Sequence, residues 1–206
     1  MSSKIVIVDY GMGNLNSVKR KLDRLSMNSI ISSKATDLLE ADKIILPGVG
    51  HFSTAMENLK QLNLIEPLQE IALNLKKPIL GICLGMQLMA KFSQEGNVAG
   101  LGWFDAEVVR FKIADTLKYK IPHIGWNQIS ILKDSALMQG ITELSEFYFV
   151  HSYHFKNNCQ EDVLNTTEYE YNFTSAIEKN NLFGVQYHPE KSHEVGEQLL
   201  LNFCNL

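Results

Sequence analysis

Three groups of residues in this sequence have the types and spacing for chemistry. The first is Gly81-Ile82-Cys83-Leu84-Gly85, which follows the apolar run at residues 78–80 and opens a helix-like stretch. A thiol on a sharp strand-to-helix turn has the form of a nucleophile elbow, with cysteine where hydrolases carry serine. Glycines flank it because side chains there would strike the neighbouring backbone. At a helix N-terminus the thiol meets the positive end of the dipole, which favours thiolate. The N–H of Leu84 is then free to receive an oxyanion. An isolated free cysteine is ordinarily buried and inert, so it is the elbow that makes Cys83 a candidate nucleophile.

A cysteine that attacks an amide requires a base, and the base requires an orienting group. Of six histidines, His188 stands out because it ends the apolar stretch 182–187 within His188-Pro189-Glu190. Pro189 biases His188 toward extended backbone, and residues two apart in extended chain share a side, so Glu190 is expected beside His188. Taken alone, His-x-Glu is commonly a surface turn. His51 and His123 lie beside glycine-bearing loops, His151 and His154 flank a strand end, and His193 sits near the last helix; these read as structural or solvent-facing. No histidine stands at metal-ligand spacing from a second His, Cys or carboxylate, so no metal is expected. The third group is Pro47-Gly48-Val49-Gly50, after the apolar run ending at Leu46. Its glycines let the backbone turn tightly, and even flip, so that the N–H of Val49 serves as a second oxyanion donor beside that of Leu84.

These groups need a scaffold. Residues 5–8, 44–46 and 78–83 are short apolar runs of the kind that form parallel strands buried on both faces. Between them, residues 14–25 place Leu15, Val18, Leu22 and Leu25 at helical spacing; 52–59 and 64–75 look similar, and a further helix is expected from Cys83 through Phe92. Beyond Gly100 the texture changes to short strands, at 107–111, 128–132, 147–150, 173–177 and 182–187, with a final helix at 195–203. Alternating strands and helices, then a run of strands, predict one α/β domain over residues 1–206. It is a three-layer, open, mostly parallel twisted sheet, with an antiparallel portion inserted before the last strand and helix.

Composition narrows the function classes. With 206 residues, 45% hydrophobic and 20% charged, the chain can bury a real core, and its net charge of −4 gives no general attraction to nucleic acid or anionic membrane. No stretch reaches the roughly 18 apolar residues of a spanning helix, and the N-terminus has no secretory signal pattern. Cys83, Cys159 and Cys204 are odd in number and scattered, which fits a reducing cytoplasm rather than a disulfide framework.

Six ordered blocks give the chain a wider likeness: residues 9–15 (DYGMGNL), 47–52 (PGVGHF), 81–87 (GICLGMQ), 122–127 (PHIGWN), 148–153 (YFVHSY) and 184–192 (GVQYHPEKS). Together they resemble the class I (triad) glutamine amidotransferases, and more narrowly the glutaminase subunits that feed ammonia to a (β/α)₈ cyclase. The resemblance implies that Cys83 forms a thioester with glutamine, with His188 moving protons and Glu190 holding the imidazole, and no cofactor. It implies that Gln87 and Glu95 hold the substrate, with backbone help from Gly50, Ser152 and Tyr153. It also implies a heterodimer with the synthase partner, meeting it at Asn14, Trp126, Asn127, Tyr148 and Lys191. Two residues depart from the family's usual pattern: Ile124 stands for methionine and Tyr187 for phenylalanine. The segment 111–120, with Lys112, Lys118 and Lys120, is more basic than the family suggests. A related glutaminase feeding a sugar amidotransferase of surface-polysaccharide synthesis is the competing reading. A non-enzymatic module on the same fold is disfavoured by Glu190, for which such a module has no use.

Overall fold

Ile5–Val8 contains no polar residue, and a strand of that kind is stable only when both faces are covered. It forms β1 in the computed structural model, which describes residues 3–206. There follow α1 (Leu15–Arg24), β2 (Ser29–Ser32), α2 (Ala35–Glu40), β3 (Lys43–Gly48), α3 (Phe52–Gln61), α4 (Ile65–Gln69), β4 (Ile79–Cys83) and α5 (Leu84–Gln87). Helix α4 runs on as one wider π turn over Glu70–Asn74. The second half holds β5 (Ala90–Ser93), β6 (Val98–Ala99), β7 (Phe104–Arg110), β8 (His123–Gln128), β9 (Ser130–Ile131), β10 (Glu146–His151), β11 (Tyr153–Asn157), β12 (Val163–Tyr169), β13 (Tyr171–Lys179), β14 (Leu182–Val185) and the closing α6 (His193–Asn205).

Strands β2-β1-β3-β4-β14 pair in parallel, and the sheet continues through β13 and β11 in antiparallel pairing. The chain thus leaves the parallel sheet after β4, builds the antiparallel portion, and returns with β14 beside β4. Alternation along the strands divides the core in two. Val6, Val8, Ile44 and Leu46 pack with Leu38, Phe52, Leu59 and Leu68 of α2, α3 and α4. Ile5, Ile7, Ile45, Leu80 and Ile82 pack with Val18, Leu22, Leu199 and Phe203 of α1 and α6. A sheet with helices on both faces is the three-layer α/β architecture expected from the alternating pattern.

The structure differs from expectation in the second half and in three short elements of the first. The helix after Cys83 is a single turn that does not reach Phe92, which lies in β5. Every residue from Leu84 to Met89 is buried, so this stretch has no solvent face with which to continue as an amphipathic helix. The strand expected at 128–132 is divided between the ends of β8 and β9. Strand β8 pairs only with β10, in a separate two-stranded ribbon. It presents Ile124 and Trp126 outward, 59% and 44% exposed, which inverts the usual apolar-in pattern. Strands β2, β5, β6, β11 and β12 and helix α2 were not foreseen. Among the described residues, no helix is long and apolar enough to cross a membrane.

Candidate active site

Cys83 closes β4 with φ +54° and ψ −109°, a conformation rare for an L-residue, and α5 starts at the next position. The turn is possible because the backbones approach so closely. A Cβ on Gly85 would lie 1.7 Å from the carbonyl oxygen of Leu46, and one on Gly81 2.7 Å from the Gly85 carbonyl. Strand β3 runs beside β4 with Gly48 in register with Cys83, which brings Val49 and Gly50 to the same edge. Gly50 has φ +119° and Val49 is 40% exposed, so this loop stands at the mouth of the site.

From the other side, β14 delivers residues 186–190. His188 and Glu190 are both buried, and Nδ1 of His188 lies 2.8 Å from Oε1 of Glu190. The pairing expected from sequence forms by a different route. His188 is extended, but Pro189–Lys191 coils into a 3₁₀ turn, and that turn brings the carboxylate back. The N–H of His188 donates to the Tyr148 carbonyl (2.9 Å), and Ser192 Oγ donates to the His188 carbonyl (2.6 Å). Burial is the largest single influence on the imidazole and opposes its charge. The attractions of Cys83 and Glu190 together outweigh it and raise its pKa to about 10. Nε2 makes no hydrogen bond of normal geometry, although the Cys83 sulfur is near enough to act on its charge. Tyr10, wholly buried, donates to the Pro47 carbonyl (2.8 Å); burial and then the charge of Cys83 push its pKa upward.

A cavity of about 300 Å³ opens over this region, lined by Val49, Gly50, Cys83, Leu84, Gln87, Glu95, Ser152 and Tyr153, with Pro122, Val150 and His151 completing the wall. The structure therefore brings the candidate nucleophile, both oxyanion candidates and all five substrate candidates around one hollow, with His188 buried behind it. A larger hollow beside Trp126, lined by Lys21, Arg24, Glu146 and His193, contains none of these groups. Gln87 donates through Nε2 to the Tyr153 carbonyl (3.0 Å) and to Oε1 of Gln186 (2.9 Å). Glu95 accepts from the N–H of Phe52 at the start of α3 (2.9 Å). Among the described residues no group of three or more His, Cys, Asp and Glu is arranged to hold a metal ion.

Of the partner-face candidates, Trp126 and Tyr148 are cross-strand neighbours, and Lys191 lies with Nζ 5.4 Å from the Tyr148 ring. Asn14 immediately precedes α1, with no capping bond from its side chain, and α1 packs against the turn carrying Lys191. Asn127 points elsewhere, donating to the Glu168 carbonyl of β12 (2.9 Å). Sequence reasoning missed two neighbours. His193 stacks on Trp126 at 4.9 Å with nearly parallel rings. Gln186, fully buried, places Nε2 3.5 Å from the Cys83 sulfur. The signal for Gln186 was present: it is a polar residue inside the apolar stretch 182–187, two positions before His188.

The chain belongs to the Glutamine amidotransferase class-I family, which it matches over residues 6–205. Among its relatives, the imidazole glycerol phosphate synthase subunit HisH 2 of Methanococcus maripaludis is 46% identical, covering 97% of this chain and 98% of that one. Subunit HisH 1 of Campylobacter jejuni is 47% identical over 98% of this chain and all of its own length, and HisH 2 of Pseudomonas aeruginosa is 43% identical over 98% and 99%. In fold, the chain resembles a crystal structure of a glutamine amidotransferase (TM-score 0.75, 16% identity, 98% and 99% covered). It also resembles PurLQS from Thermotoga maritima (TM-score 0.73, 16% identity, 100% and 99% covered).

Proposed function

We propose that this chain is the glutaminase subunit of an imidazole glycerol phosphate synthase, acting as one domain over residues 1–206 in the cytoplasm. It releases ammonia from glutamine and passes it to a (β/α)₈ cyclase with which it forms a heterodimer. The observation that carries the chemistry is a strained elbow cysteine that lines the cavity, backed by a buried His–Glu pair whose imidazole lies near its sulfur. The likeness of almost the whole chain to the HisH subunits carries the choice of partner.

In the reaction the Cys83 sulfur attacks the side-chain amide carbon of glutamine. The N–H groups of Leu84 and Val49 receive the negative charge that develops on oxygen. His188 gives its proton to the departing nitrogen, ammonia leaves, and a thioester to Cys83 remains. The neutral imidazole then takes a proton from water, the hydroxide attacks the thioester, and glutamate departs as the sulfur is restored. Glu190 holds the ring and balances the imidazolium. Gln87 has both amide hydrogens committed to Tyr153 and Gln186, so toward the cavity it offers only its carbonyl oxygen. That suits the ammonium group of an amino-acid substrate, which Glu95 also attracts, while Gly50, Ser152 and Tyr153 supply backbone groups.

The competing acceptor is a sugar amidotransferase of surface-polysaccharide synthesis, and the exposed Lys112, Lys118 and Lys120 in the segment that leads into β8 bear on which partner is bound. Co-purification from the native cell, with mass identification of the bound synthase, separates the two. The glutaminase itself is tested by Cys83→Ala. That variant is expected to keep its fold and lose glutamate production measured with the partner present, and substantial remaining turnover would remove Cys83 from the mechanism.

A further inference from the structure

Gln186 does not line the cavity, and its side chain is shut away from solvent. A buried amide costs free energy unless its polar atoms are paired, so its partners define its purpose. The hydrogen bonds fix its orientation step by step. The carbonyl of Tyr153 can only accept, so the Gln87 atom 3.0 Å from it is the donor Nε2. That same nitrogen faces Gln186 at 2.9 Å, so the Gln186 atom there is the acceptor Oε1. The remaining Gln186 atom is therefore Nε2, which points an N–H at the Cys83 sulfur 3.5 Å away. One main-chain carbonyl thus sets the polarity of two amides in series, and the series ends on the sulfur.

We propose that Gln186 is a positioning residue for the nucleophile: its amide, oriented through Gln87 by the Tyr153 carbonyl, donates to the Cys83 sulfur and favours the thiolate. The inference rests on the reading of Cys83 as nucleophile. A neutral thiol is a weak acceptor and a thiolate a strong one, so a donor fixed here stabilises the charged form and holds it in one rotamer. The relay also joins the substrate wall to the nucleophile, because Gln87 belongs to both.

The other titratable groups around the sulfur and cavity are Tyr153, on the cavity wall, and Tyr10, Glu95, His151, His188 and Glu190. The last five each have a hydrogen-bond partner other than Gln186. Replacing Gln186 therefore changes one contact to the sulfur and leaves those in place.

The test is the pH profile of Cys83 alkylation by iodoacetamide in the full chain, located by peptide mass so that Cys159 and Cys204 do not contribute. Gln186→Met keeps the volume and removes the donor, and Gln186→Glu keeps the shape and the acceptor for Gln87 but sets a negative charge against the sulfur. The Met variant is expected to move the midpoint up by about one pH unit, and the Glu variant further. With the synthase partner, kcat of the Glu variant should fall about tenfold or more while KM for glutamine stays within about twofold, because the residue is outside the cavity. An unmoved midpoint in a folded variant overturns the proposal, even if activity falls. Should the Met variant not fold, the near-isosteric Glu variant carries the test. Failure of the underlying reading is a separate result: glutamate production that survives Cys83→Ala.

Discussion

At the scale of single residues, the site is paid for in backbone strain and in buried charge. Cys83 occupies φ +54°, ψ −109°, which costs a side-chain-bearing residue about 1–3 kcal/mol. Glycine escapes that cost. We therefore expect Cys83→Gly to be more stable than Cys83→Ala by about 1 kcal/mol in denaturant unfolding, the reverse of the ordinary order within regular structure. An alanine variant equal to or above the glycine variant would mean that the elbow stores no strain. The second residue-scale expectation concerns the pair behind the nucleophile. In the proposed reaction His188 moves protons in both halves while Glu190 only orients and balances it, so His188→Asn should lower kcat far more than Glu190→Gln. A glutamine at 190 still accepts one hydrogen bond from Nδ1, which preserves part of the orientation. If the Glu190 variant were the more damaged enzyme, the two roles would have to be exchanged. Cys83, His188 and Glu190 could be picked out as candidates in sequence because each sits in a local motif. Gln186 was harder to read, since its meaning comes from Cys83, 103 positions away.

At the scale of elements, the parallel half of the fold was legible and the antiparallel half less so, for a physical reason. Strands β1, β3 and β4 are buried on both faces and read as unbroken apolar runs. Strands β12 and β13 instead bury Asn165, Thr167 and Ser175, joined by Ser175 Oγ donating to Asn165 (2.8 Å) and Thr167 Oγ1 to Ser175 (2.8 Å). Asn165 also donates to the buried hydroxyl of Tyr187 (3.1 Å), which gives that departure from the family pattern a partner. A polar network on the inner face is indistinguishable, in one sequence, from an outer face. The ribbon β8–β10 and strand β11 carry a related feature, the histidines His123, His151 and His154 packed around Phe111. His151 must donate from Nδ1 to the Tyr153 carbonyl (2.8 Å), so its Nε2 accepts from His123 (3.1 Å), and the pair is neutral. Burial lowers all three pKa values, that of His123 to about 4. For a histidine depressed in the fold, stability is complete above the unfolded value of 6.5 and is lost as pH falls toward the folded one. His188 is shifted the other way, so its contribution is full below 6.5 and drains only as pH rises toward about 10. The melting temperature should accordingly drop as pH falls from 6.5 to about 5, with about 2 kcal/mol lost from His123 alone. A flat melting temperature across that window would mean that the cluster is not held neutral.

At the scale of the whole molecule, the question is how a partner bound on the outer surface would govern the proposed nucleophile in the cavity. Ammonia released with no acceptor at hand is protonated in water and lost, so an unregulated glutaminase would waste its product. Two connections in the fold suit regulation. Val49 and Gly50 stand exposed at the cavity mouth, just after the buried Gly48, and glycine at 50 allows the peptide proposed to supply one oxyanion donor to rest turned away. Tyr148, whose ring lies beside Trp126 and Lys191, has its backbone carbonyl on the N–H of His188 and its N–H on Ser192 Oγ (3.0 Å). A synthase pressing on those outer side chains therefore bears on the strand that seats the base. Binding favours the active arrangement only if the loaded partner binds that arrangement more tightly. Loss of one oxyanion donor costs about 3 kcal/mol, or roughly a hundredfold in rate. We expect the isolated chain to produce glutamate about a hundredfold more slowly than the same chain with its synthase and that synthase's substrate bound. A melting curve of the isolated chain separates this from simple unfolding. Equal steady-state turnover by the folded chain, alone and with loaded partner, would end the case for gating while leaving Cys83, His188 and Glu190 in their roles.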